Sequence, residues 1–226
     1  MADRHKEGRF EFDFRKNMTP QQIADMFDDF AEDYEQEYLN VGLRSHVVVG
    51  DFMAKTIPKE QRPKVKILDV AAGTGLLGTE LKNHGFTQID ALDPAEKMLN
   101  VARRRNIYQR LICAFMNKNR NDTIETDYYD NIVASAAFNE GLLQCDAFQE
   151  MIRIVKPGGR INFAVPTKFI NNSDNLRDRL LPLIYQLAQE GVWEVTPVAL
   201  ADGEISDING PGTLFSLKVL VSEKTF

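Results

Sequence analysis

Two cysteines in 226 residues leave no disulfide framework and no thiolate zinc site. Cys113 and Cys145 both lie in apolar stretches and read as packing residues. Three scattered histidines give no metal-ligand spacing, so no metal is expected. No apolar run approaches the roughly 20 residues that span a bilayer. The opening MADRHKEGRFEFDFRKN is too charged for a signal peptide. A cytoplasmic protein with no membrane partner is the expectation. An excess of positive charge is also missing, since 27 Lys and Arg face 33 Asp and Glu for a net charge of -6. Nucleic-acid binders carry a positive footprint, so no nucleic-acid partner is expected. There is no internal repeat, no low-complexity segment and no signal for an oligomeric state.

What is present is a chain 43% apolar and rich in phenylalanine, enough for a substantial core. Residues 1–60 read as an N-terminal helical cap and 61–226 as a nucleotide-binding domain. In MTPQQIADMFDDFAEDYEQEYLN, Thr19 suits an N-cap, Pro20 the first turn, and Gln22 the reciprocal position of a capping box. Ile23, Met26, Phe27, Phe30, Tyr34 and Tyr38 then recur at helical spacing, predicting one helix with an aromatic face. LRSHVVVGDFMAKTI reads as a second helix, although Val47 to Val49 would also suit a strand.

From residue 65, short β-rich runs alternate with helical ones, which argues for βαβ units on a mostly parallel sheet. In the tail, NLRDRLLPLIYQLAQEG is a helix kinked or started late by Pro182. VWEVTPVAL and TLFSLKVLVSE follow without a helix between them, predicting an antiparallel hairpin at the sheet edge. The expected fold is therefore α/β: a doubly wound, seven-stranded, mostly parallel sheet with that hairpin.

The sharpest motif is AAGTGLLG, between the first strand and its helix. Gly73, Gly75 and Gly78 satisfy G-x-G-x-x-G, the dinucleotide fingerprint in its proper strand–loop–helix setting. Asp93, closing the second strand, can accept hydrogen bonds from two ribose hydroxyls. These features suit a nicotinamide dinucleotide and S-adenosylmethionine (SAM) alike. Asp69, just before the loop, favours SAM: a carboxylate there can face the ammonium end of a methionine moiety, whereas it would repel a pyrophosphate. The long segment ahead of the first strand also suits a lid, and no later segment reads as a substrate domain for hydride transfer.

The segments ILDVAAGTG, DALDPAEKML, YDNIVASAAFNEG and IRIVKPGGRINFAV resemble the successive motifs of class I SAM-dependent methyltransferases. FAEDYEQEYLNVGLRS, DVAAGTGLLGTEL and QCDAFQEMIRIVKPGG further resemble the methyltransferase-like proteins of the Williams–Beuren critical region. The resemblance implies SAM as cofactor. It places Gly73, Thr74 and Gly75 along the methionine and ribose, with Asp69 below them. Asp93 would hold the ribose, with Pro94 and Met98 near the adenine, and Ala114 and Phe115 would flank the base. Ser135, Ala136 and Ala137 would border the reacting methyl. Ala71 departs from the class, which often has glycine there; a slightly altered loop is expected, with a larger effect if the position needs a positive φ.

No catalytic residue can be named from the sequence. Substrate-side candidates are Tyr38, His46, Asn139 and Glu140, the last two beyond the fourth strand at the ligand-binding edge of such sheets. Tyr34 and Arg44 are candidates for the methionine carboxylate. SAAF stands where an NPPY-like tetrad would serve adenine, cytosine or glutamine N-methylation, which lowers the weight of those targets. The seven acidic residues from Asp25 to Glu37 read as a solvated helix face or as steering for a cationic substrate. The expected activity is methyl transfer to O, N or S of a small molecule. A protein methyltransferase and a non-enzymatic SAM binder are the alternatives.

Overall fold

The computed structural model describes residues 18–40, 42–138, 141–173, 176–205 and 210–223. Its strands are β1 (Lys66–Val70), β2 (Gln88–Asp93), β3 (Leu111–Cys113), β4 (Tyr129–Ala134), β5 (Val155–Pro166), β6 (Trp193–Leu200) and β7 (Gly212–Val219). They form one sheet in the order β3-β2-β1-β4-β5-β7-β6. β1 to β5 pair in parallel, and β7 runs antiparallel between β5 and β6. The expected doubly wound sheet and its edge hairpin are both present. Strand order reverses between β1 and β4, and the carboxyl ends of strands at such a switch point are where open α/β sheets bind ligands.

The helices are α1 (Pro20–Asp29), α2 (Tyr34–Asn40), α3 (Ser45–Thr56), α4 (Leu76–Asn83), α5 (Glu96–Arg104), α6 (Ala147–Ile154), α7 (Thr167–Asn172) and α8 (Leu181–Gln189). β1 is buried from Ile67 to Val70, as a strand covered on both faces should be. On one side, Val49 and Met53 of α3 pack with Leu77, Leu81, Phe86 and Ile67. That burial settles the segment around Val47–Val49 as helix. On the other side, Phe148 packs on Phe163 and Trp193, with ring centroids 6.1 and 5.2 Å away. Truncating such an aromatic to alanine typically costs about 3–5 kcal/mol.

The capping box at Thr19 and Gln22 forms as expected, with bonds of 3.2 and 2.8 Å. The single long helix does not. It ends at Asp29 and restarts at Tyr34. Two causes are visible. The acidic run puts like charges within one turn of each other, which disfavours a continuous helix. The break also lets Phe27, Phe30 and Tyr34 gather, with centroids 5.4 to 6.1 Å apart. The tail helix α8 begins at Leu181, with Pro182 in its first turn, directly after a π-helical turn over Leu176–Leu180. The cysteines divide: Cys145 is buried, whereas Cys113 at the tip of β3 is exposed rather than packed. Among the described residues no helix is long and apolar enough to cross a membrane.

Candidate cofactor and acceptor site

The loop from Ala71 to Gly75 is shaped by three left-handed residues, Ala71 (φ +55°), Gly73 (+54°) and Gly75 (+91°). Gly73 N–H donates to Asp93 Oδ2 at 2.8 Å and Ala95 N–H to Asp93 Oδ1 at 2.8 Å. One carboxylate thus ties the end of β2 to the glycine loop and to the start of α5. Each of its oxygens keeps a lone pair for a ribose hydroxyl. Asp69 Oδ2 accepts from Tyr108 Oη at 2.7 Å. Burial pushes both carboxyls up, Asp69 to about 7 and Asp93 to about 6, against the lowering effect of these hydrogen bonds.

Tyr108 explains the third glycine of the fingerprint. A Cβ on Gly78 would stand 2.2 Å from the Tyr108 hydroxyl. Glycine is therefore needed there to admit the phenol that holds Asp69. Arg105 grips the loop from outside: Nε donates to the Thr74 carbonyl at 2.7 Å and Nη1 to Thr79 Oγ1 at 3.1 Å. Its remaining nitrogen donates to Glu35 of α2. Further pairs join the same surfaces. Lys97 N–H donates to Asp28 at 2.7 Å and Arg104 pairs with Glu32 at 2.6 Å. Asp25, Asp29, Glu32 and Asp33 of the acidic run are exposed, as a solvated face would be, while Asp28, Glu32 and Glu35 clasp α5 and its end.

Between the cap and the sheet edge lies a cleft lined by Tyr34, Tyr38, His46, Asp69, Ala71, Ala72, Gly73, Thr74, Leu76, Leu77 and Ser135. The structure thus brings together most of the expected methionine-side and acceptor-side residues. Gly75, also expected there, shapes the loop without lining the cleft. Met98 is buried beneath α1 with Ala31 and Ala95. Ala114 N–H bonds the Asp93 carbonyl at 3.2 Å, and Phe115 beyond it is exposed at 38%, as a ring awaiting a stacking partner would be. Pro94 connects β2 to α5, its carbonyl 3.6 Å from Cys113 Sγ. Arg44 takes a different direction: its guanidinium donates to the Gly203 carbonyl in the β6–β7 connection. Asn139 and Glu140 lie outside the described residues.

Three contributors escaped the sequence reading. Ser45 joins Tyr38 and Ser135 through hydroxyl contacts of 2.8 and 2.9 Å. No motif marks it. Arg105 had a signal, since the run Arg103 to Arg105 and a seven-carboxylate acidic run share the chain. Tyr108 had only an indirect one, the demand for glycine at position 78.

SAM fits these residues on the structure's own evidence. Thr74 Oγ1 is buried in the cleft wall with no hydrogen-bond partner, and space around Gly73 is open where a Cβ would stand. Asp69 offers a carboxylate to an ammonium and Asp93 one to a ribose. A family profile described as a methyltransferase domain matches residues 67–159. The chain is 31% identical over 170 residues to human methyltransferase-like protein 27, covering 74% of this chain and 66% of that protein. It is 30% identical to a demethylmenaquinone methyltransferase of Paenarthrobacter aurescens, over 64% of this chain and 55% of that one. It thus spans somewhat under two thirds of these relatives. The crystal structure of a TehB-like SAM-dependent methyltransferase from Corynebacterium glutamicum matches at TM-score 0.57 and 17% identity, over 84% of this chain and 98% of that one. Family profile, relatives and fold agree: residues 67–159 carry a methyltransferase domain of the class I SAM-dependent kind, whose cofactor is SAM.

Proposed function

We propose that the chain transfers a methyl group from SAM to an O, N or S atom of a small molecule, with residues 1–60 as the cap and 61–226 as the catalytic domain. One observation carries this reading. One cleft is lined both by Asp69, Gly73 and Thr74 at the cofactor loop and by Tyr38, His46 and Ser135. The cap roofs it, which favours a small acceptor over a protein surface. The name of the demethylmenaquinone relative also points to a small acceptor for that protein.

Bound SAM supplies an electrophilic methyl on a sulfonium. The chain supplies placement. Asp93 and the glycine loop fix the nucleoside, Asp69 faces the ammonium, and Phe115 covers the base. Tyr34 and Tyr38 close the roof and exclude water. Alignment of two reactants in this way is worth several kcal/mol, about 7–11 at best.

The test is calorimetric titration with SAM, its demethylated product and NAD, followed by labelled-methyl transfer into a metabolite extract. Micromolar binding of both SAM forms and a labelled small molecule are expected. Binding of NAD alone would refute the reading, and label appearing only in protein would move the acceptor to a polypeptide.

A further inference from the structure

The acceptor wall of the cleft contains an unsatisfied base. His46 sits in the first turn of α3 and is only 7% exposed. It lines the cleft, and its Nδ1 is buried with no hydrogen-bond partner. Leaving such a group unpaired is costly, so a native orphan in a ligand cleft calls for an explanation. Desolvation lowers the imidazole pKa, opposed by the negative charge of Glu35. A neutral ring carries one lone pair. The groups facing it are Glu35, the Tyr38 ring edge-on at 5.6 Å, and Tyr34 and Asp69 across the cleft.

Beside His46 runs a chain of hydroxyls, Tyr38 Oη to Ser45 Oγ at 2.8 Å and Ser45 Oγ to Ser135 Oγ at 2.9 Å. Each hydroxyl can donate or accept, so Ser135 at the cleft end can present either a hydrogen or a lone pair. No lysine or arginine lines the cleft among the described residues. An anionic acceptor would find no counter-charge there. An ammonium would find the nearby carboxylates already engaged, Glu35 by Arg105 and Asp69 by Tyr108. A neutral hydroxyl matches the set, donating to the imidazole and accepting from Ser135.

We propose that His46 is the general base of the acceptor subsite and that the acceptor is a neutral hydroxyl compound, aliphatic or phenolic. This rests on the methyl-transfer reading above. The acceptor oxygen bonds to the methyl carbon as the methyl–sulfur bond breaks, with that electron pair left on sulfur. The hydroxyl proton passes to His46 Nδ1 and later to solvent. Ser135, held by Ser45 and Tyr38, orients the attacking oxygen.

Three measurements test this and separate it from its premise. In calorimetry, wild type binds SAM and His46→Gln binds it within about threefold. If wild type fails to bind, the methyl-transfer reading falls. If only the variant fails, His46 belongs to the cofactor and the inference falls alone. Next, carbon-13 methyl-labelled SAM is incubated with a deproteinised cell extract, and product methyl resonances are sorted as O-, N- or S-bound. An O-methyl product is expected, with kcat about 100-fold lower or worse in His46→Gln and the acidic limb of its pH profile gone. Only N- or S-methyl products, no product, or wild-type turnover in the variant would overturn the inference. The third measurement needs no turnover. The ring carbon–proton signal of His46 is assigned with the variant and followed in protein saturated with the demethylated cofactor. Excess phenol should shift that signal, and a signal that stays in place refutes the assignment.

Discussion

Ala71 stands at φ +55° in the cofactor loop. A Cβ in the left-handed region costs about 1–2 kcal/mol, so Ala71→Gly should stabilise the protein by about 1 kcal/mol, read as a higher melting temperature. The sequence marked this position as a departure from its class, but only the backbone shows that the departure is strained. Gly78→Ala should do the reverse, displacing Tyr108 from Asp69 at a cost of about 1–3 kcal/mol and weakening SAM binding. The buried carboxyls make a pH prediction. Asp69 and Asp93 bind protons more tightly folded, at about 7 and about 6, than at their ordinary 3.8. Their contribution to stability therefore falls as pH rises from about 4 through these values, and levels off above them. A cationic ligand favours the ionised forms. SAM binding should thus tighten between about pH 5.5 and 7.5 and release protons, which calorimetry in buffers of different ionisation enthalpy will measure. Binding without proton release would contradict the placement of these two groups.

At the scale of elements, the cap is fastened to α5 by charge. Arg104 and Glu32 are exposed, so solvent screens their pair and it contributes little. Arg105 is more enclosed and also holds the Thr74 carbonyl, so it couples the cap to the cofactor loop. Arg105→Ala should weaken SAM binding about tenfold, whereas Arg104→Ala should change it less than about twofold. Limited proteolysis within residues 18–40 should speed up in the first variant only. Elements with local codes were legible beforehand: the capping box of α1, the strand–loop–helix around Gly73, and the hairpin of β6 and β7. The split between α1 and α2 was not, because the cations that relieve the acidic run lie some 70 residues away.

Across the whole molecule, the cofactor half of the site could be read because it is nearly contiguous, from Asp69 to Asp93, and because residue types there are dictated by backbone shape. The acceptor half could not be assembled. Tyr38, Ser45, His46 and Ser135 come from three elements and their flanks, and a serine or a histidine carries no spacing rule on its own. The same division predicts how the molecule answers to ligand. Backbone amides of β1, β4 and the second half of β5, from Ile161, should exchange slowest with or without SAM, since they are paired and buried. Added protection on binding should appear in residues 71–79 and 18–40, and hydrogen-exchange mass spectrometry would show it. Exchange unchanged in the cap would mean that the roof does not respond to the cofactor.

Cys113 offers a practical handle on these questions. It is the exposed thiol of the two, and it sits at the strand tip beside Pro94 and two residues before Phe115. A maleimide reagent should therefore label the native chain at one position, leaving Cys145 untouched. The speed of that labelling becomes a footprint of nucleoside arrival, slowing as the base covers the sulfur, in an assay that requires no knowledge of what the enzyme methylates.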